Sequence, residues 1–132
     1  MATIRKEIMV KATVEQAWDV MRDIGALHTR LVPGFVVDTK LEPGARVVTF
    51  ANGRVVRERI VTIDDDARRF VWSATGDGLE HHNASAEVVA NADGRTRIVW
   101  VADLLPDSVA GAIDQMMDHG MTAMRTALDK LS

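Results

Sequence analysis

Cysteine is absent from this chain, which excludes disulfides, thiolate metal sites and cysteine nucleophiles. An excess of basic charge is missing too. The net charge is −3, and aromatic and basic residues do not interleave, so nothing favours nucleic acid as a partner. No segment is apolar for long enough to cross a bilayer, and the opening residues 1–7 carry no apolar run of signal-peptide length. A soluble, cytoplasmic protein without integral membrane association is expected. Repeats, low-complexity tracts and linkers are also lacking, so the 132 residues are expected to form one domain, 1–132. Recognisable catalytic and metal-binding motifs are scarce. Ser73 and Ser85 sit in no Gly-x-Ser-x-Gly elbow. Asp64, Asp65 and Asp66 lack the alternating spacing of a calcium loop, and Gly76-Asp77-Gly78 opens no helix that would cradle a phosphate. His81 and His82 are adjacent, with His28 and His119 elsewhere. Neighbours on a strand point to opposite faces, so the pair cannot chelate one ion. No metal and no cofactor are expected.

What the chain does have is enough apolar material for a core, 47% of its residues, and one long periodic stretch at its end. Val109, Ile113, Met116, Met117, Met121, Met124, Leu128 and Leu131 recur at steps of three or four, with Met116 and Met117 adjacent. That spacing predicts a helix over 107–131 with a single apolar stripe. Asp107, just after Pro106, is expected to cap its start, and Lys130 suits its negative end. The stripe is rich in methionine, which is flexible and polarisable. It is either ordinary core or one wall of an adjustable cavity.

Upstream, Ile4 to Lys11 reads as a first strand. Thr13 and Gln16 form a capping box that opens a helix with Val14, Ala17, Trp18 and Met21 on one face. Gly25 is expected to break it, and a short helical piece follows over 26–30, ended by Pro33-Gly34. Six strands come next, at about 35–41, 45–50, 54–63, 69–74, 82–90 and 96–104. Their turns are short, Asn52-Gly53 being a strong hairpin signal. Consecutive strands joined this way form an antiparallel meander. Its apolar face needs a cover, and the C-terminal helix is the only element of suitable size.

At this point the chain resembles the START-like superfamily, also called SRPBCC or the helix-grip fold, and within it the polyketide cyclase/dehydrase-type group. The resemblance runs over nearly the whole chain. It is carried by Ala12-Thr13-Val14-Glu15-Gln16-Ala17-Trp18, by Pro33-Gly34, and by Pro43-Gly44-Ala45-Arg46 with Asn52-Gly53 and Arg57-Glu58-Arg59. His81-His82-Asn83-Ala84-Ser85, Trp100 and Asp103-Leu104-Leu105-Pro106 look like a bacterial subgroup. One departure stands out. Many relatives carry Trp-x-Pro near the short second helix, where this chain has Leu27-His28 and Leu31-Val32-Pro33. The resemblance implies an α+β helix-grip fold, a curved antiparallel sheet wrapped around the long C-terminal helix. It also implies a cavity between the two for a hydrophobic or amphipathic small molecule.

Strand alternation proposes the inward set. Ile98, Trp100 and Ala102 lie opposite Arg95 and Arg97, and Phe70, Trp72 and Ala74 opposite Arg69. Glu87 sends His82, Ala84, Ala86 and Val88 inward, where the alanines leave room. Val56, Glu58 and Ile60 oppose Arg57 and Arg59. Arg46, Val48 and Phe50 share a face, but either face of that strand fits the interior. Arg46 and Glu58 therefore pair either as a solvated couple or as a buried one across the hairpin, and the family pattern favours the interior. His82 is placed to bond the Glu58 carboxylate or a ligand carbonyl, while His81 faces solvent.

Three functions are compatible with this reading. In the first, the chain binds a small hydrophobic or aromatic, polyketide- or lipid-like molecule. Phe50, Phe70, Trp72, Trp100, Met117 and Met121 would supply apolar contacts, Arg46, Glu58 and His82 the polar ones, and His28 would stand at the mouth. In the second, it is a cyclase or dehydratase in which Arg46 polarises a carbonyl and His82 or Glu58 moves protons. In the third, it is a protein-interaction module with no ligand. A homodimer is compatible with all three.

Overall fold

The computed structural model describes every residue except Asp77 and Ser132. Strand β1 (Ala2–Val10) leads into helix α1 (Val14–Arg22). The capping box is present: Gln16 N–H donates to Thr13 Oγ1, and Thr13 N–H donates to Gln16 Oε1. Helix α1 ends before Gly25, at Asp23. Gly25 instead lies in a 3-10 turn (Ile24–Ala26), where a Cβ would stand 3.0 Å from Leu41 Cδ1. A π-type turn (Leu27–Leu31) follows. Then come β2 (Val36–Glu42), β3 (Ala45–Phe50), β4 (Val55–Asp64), β5 (Arg69–Thr75), β6 (His81–Ala90) and β7 (Thr96–Leu105). Of the glycine pair expected to lead into β6, Asp77 between them lies outside the described residues.

The strands form one antiparallel sheet of seven in the order β1-β7-β6-β5-β4-β3-β2. The six-strand meander is thus extended by β1, which pairs along β7 from Ala2↔Leu104 to Val10↔Thr96. Residues 36–38 on β2 and 60–62 on β4 break the register, which bends strands at bulges and helps the sheet curve.

Helix α2 (Ala110–Asp129) lies over the inward face, packed mainly against β1 and the Leu27–Leu31 turn. Its start differs from expectation. Asp107 makes no cap bond, because helical geometry begins at Asp107 itself, in a short 3-10 turn (Asp107–Val109) whose cap position is Pro106. The Asp107 carboxylate pairs instead with the Met1 amine at 3.4 Å. Lys6, inward on β1 beside Ile4 and Ile8, reaches the helix and pairs with Asp114 at 2.8 Å and Asp118 at 3.0 Å. These two carboxylates, Asp114 first, hold the ammonium above its ordinary pKa.

Candidate functional site

Cross-strand register sets the inward face as a series of rows. One row runs Ile60, Trp72, Ala84, Ala102 and the next Ile63, Phe70, Ala86, Trp100. Large rings thus stand beside alanines. Phe70 stacks on Trp72 with centroids 5.0 Å apart, and Trp72 meets Trp100 at 6.1 Å. Ala84, Ala86 and Ala102 are all buried. Met117 and Met121 are buried in the same cluster.

A third row is polar. Arg46 faces Glu58, and Glu58 faces Ala74. Arg46 Nε donates to Glu58 Oε1 at 2.8 Å, and both side chains are almost fully buried, 4% and 10% accessible. The pair is interior, as the family pattern favours. Arg46 Nη1 also donates to the Ile24 carbonyl at 3.1 Å, and its guanidinium lies 5.0 Å from the centre of the Phe70 ring. These contacts tie the 3-10 turn to the sheet and leave the cation well partnered.

His82 does not join this pair. Glu58 and His82 flank Ala74 from β4 and β6, two strand spacings apart, roughly 10 Å. Alternation assigns a face but says nothing of that separation. The imidazole serves the backbone instead: Ala74 N–H donates to His82 Nδ1 at 2.9 Å, just beyond the last β5–β6 pair, Trp72↔Ala84. An Nδ1 that accepts carries no proton, so the neutral ring keeps its hydrogen on Nε2. Burial, aided by His81 and opposed by Asp103, pushes its pKa down to about 4. His82 is a neutral Nε2–H donor at pH 7. His81 beside it is exposed.

The remaining candidates sit at the rim. Phe50 is half-buried and meets Phe35 edge-on at 5.3 Å. His28, on the Leu27–Leu31 turn, has Nδ1 3.1 Å from Thr39 Oγ1 on β2. Trp100 is half-buried and its benzo edge faces α2. Two clefts open elsewhere. One of about 270 Å³ lies between β1 and α2, lined by Lys6, Ile8, Met121 and Arg125 among others. Another of about 480 Å³ lies where residues 10–15 meet the turn from β6 to β7. Among the described residues no group of three or more histidine, aspartate or glutamate side chains is arranged to hold a metal, and no helix is long and apolar enough to cross a membrane.

The family model described as polyketide cyclase / dehydrase and lipid transport matches residues 1–132. The chain belongs to that family. No curated protein matches it significantly. Among solved structures, a protein from Thermobifida fusca is 26% identical, with a TM-score of 0.79 over 100% of this chain and 96% of that one. A START superfamily protein from Mycobacterium smegmatis is 11% identical, with a TM-score of 0.78 over 98% and 99%. The di-domain ARO/CYC BexL from the BE-7585A biosynthetic pathway, also 11% identical, gives 0.81 over 98% of this chain and 47% of that one. At such identities the last two establish the START-like helix-grip fold alone.

Within this polyketide cyclase/dehydrase and lipid-transport fold, three contributors escape sequence reasoning. Phe35 packs on Phe50 and approaches Gly120; its only signal is an aromatic directly after Pro33-Gly34. The Ile24 carbonyl, 22 residues from Arg46, has none. Lys6 had one, since alternation places it between Ile4 and Ile8 on the inward face while Asp114 and Asp118 are four apart on one side of the helix.

Proposed function

We propose that this family member binds a small hydrophobic or aromatic, polyketide- or lipid-like molecule between the sheet and α2. The observation that carries the reading is the Arg46–Glu58 ion pair, buried on the inward face in the row that leads to His82. A buried ion pair is a poor device for stability, because desolvation offsets most of the Coulomb attraction. Beside aromatic rings, with a neutral Nε2–H donor in the same row, it supplies the few placed polar groups that an otherwise apolar ligand site needs. Met117 and Met121 fill the space under the helix, and their unbranched, flexible side chains yield to a guest more readily than leucine or isoleucine. The family description, which joins cyclase and dehydrase with lipid transport, supports the same class of guest.

Binding is favoured over catalysis by the engagement of the polar groups. Arg46 is committed to Glu58 and Ile24, and His82 Nδ1 to a backbone amide. A cyclase or dehydratase using Arg46, Glu58 and His82 would need a free cation or a free base. Native mass spectrometry of the freshly purified chain, then of the chain mixed with fatty acids and polycyclic ketones, tests the reading. An added mass of one apolar molecule is expected, weakened in an Arg46→Met/Glu58→Leu double variant that still folds. A bare mass under every condition would overturn it.

A further inference from the structure

Trp100 carries an enclosed hydrogen-bond donor with nothing to bond. Its Nε1 is buried, and among the described residues no atom accepts from it. Trp18, by contrast, donates its Nε1–H to Asp65 at 2.9 Å. A dry, unpaired N–H costs free energy, so such a donor either relaxes toward water or awaits a partner. This ring is held in place. A Cβ built on Gly120 would stand 2.8 Å from Trp100 Cζ3 and 3.2 Å from Cη2, so the benzo edge lies directly against the α2 backbone. Phe35 closes the same spot, its Cε2 3.2 Å from that Cβ position, and the Trp72 ring stands 6.1 Å away. The benzo edge is thus packed against α2 while Nε1 stays buried.

The described residues on either side of it offer no side-chain acceptor. Along its row Trp100 is flanked by Ala86 and Lys6, neither of whose side chains can accept a hydrogen bond. Resting on the reading of the sheet–helix space as a ligand site, we propose that Trp100 Nε1–H is its specificity-determining donor, selecting apolar guests that carry an acceptor oxygen over hydrocarbons of the same shape.

The test compares 9-fluorenone with fluorene, which share a skeleton and differ by a carbonyl against a methylene. In nitrogen-15 NMR of the full chain, the three tryptophans give three indole N–H signals, and Trp100→Phe identifies the relevant one by its loss. That signal is expected to move downfield with fluorenone and not with fluorene. In calorimetry, Trp100→Phe is expected to weaken fluorenone about tenfold while changing fluorene less than about twofold. Equal weakening of both probes would reduce Trp100 to apolar packing and overturn the proposal. So would a Trp100 signal already downfield and unmoved by fluorenone although fluorenone binds, since a water would then hold the donor. In either case the ligand site itself stands. Binding of neither probe to the unaltered chain removes the site and the donor's role together. The NMR arm needs only the unaltered chain to be well folded, so it decides even if the variant is unstable.

Discussion

Arg46 Nε and Glu58 Oε1 meet at 2.8 Å across the β3–β4 hairpin, where both side chains are almost fully buried. Removing one partner leaves the other charge buried alone. Glu58→Ala is therefore expected to destabilise the fold by about 3–5 kcal/mol. Replacing both, as Arg46→Met with Glu58→Leu, removes the uncompensated charge as well as the bond. The double variant is expected to recover more than half of that loss, because an apolar pair of similar volume replaces a pair whose desolvation nearly cancelled its attraction. Urea denaturation of both single variants and the double measures the cycle. A double variant as unstable as the sum of the singles would mean that the pair contributes little coupling.

His82 makes stability depend on pH in a window of its own. The unfolded imidazole takes up a proton near 6.5, whereas in the fold its pKa is pushed down to about 4 by burial and by His81. Between these values the unfolded chain holds a proton that the folded chain lacks. Stability is thus fully present above about pH 6.5 and falls as the pH drops toward 4. The shift corresponds to roughly 3–4 kcal/mol at most, less where solvent reaches the ring. The carboxylates whose pKa values are lowered, Glu7, Asp65 and Asp93, act at more acid pH, where they protonate. His82→Asn keeps an acceptor for the Ala74 amide and does not titrate. Its stability between pH 6.5 and 4.5 is expected to be flatter than that of the unaltered chain, as read from urea midpoints at each pH. Parallel curves would show that His82 titrates normally.

The outline was legible in the sequence because its signals are local. Alternation on β5 and β7 set Trp72 and Trp100 inward from the arginines opposite them, and the Thr13–Gln16 box and the Asn52-Gly53 turn were read directly from residue type. What stayed hidden depends on distance across the sheet. Period-two patterning gives a residue's face but not which strand lies between it and its supposed partner, so Glu58 and His82 looked like neighbours with Ala74 unseen between them. It was equally silent about Arg46 reaching the Ile24 carbonyl and about Asp107, one position too deep in its turn to cap.

Gly120 in α2 has the Trp100 ring as its nearest neighbour across the helix–sheet contact. Inside a helix, glycine to alanine ordinarily stabilises by about 1 kcal/mol, because the unfolded chain loses freedom. At Gly120 the new methyl would fall 2.8 Å from Trp100 Cζ3 and 3.2 Å from Phe35 Cε2, both on half-buried rings packed against the core. Overpacking of this kind costs about 1–3 kcal/mol, so Gly120→Ala is expected to come out neutral to destabilising by roughly 2 kcal/mol. Gly111, on the same helix, has nothing within 4 Å of its Cβ position. There the helix preference acts alone, weakened by nearness to the helix start, and Gly111→Ala is expected to stabilise by a few tenths to about 1 kcal/mol. The same substitution should thus have opposite or clearly unequal effects nine residues apart in α2. Urea midpoints of the two variants, measured side by side, make the comparison. Equal stabilisation at both positions would show that the Trp100 ring gives way freely, and that the helix does not clamp it.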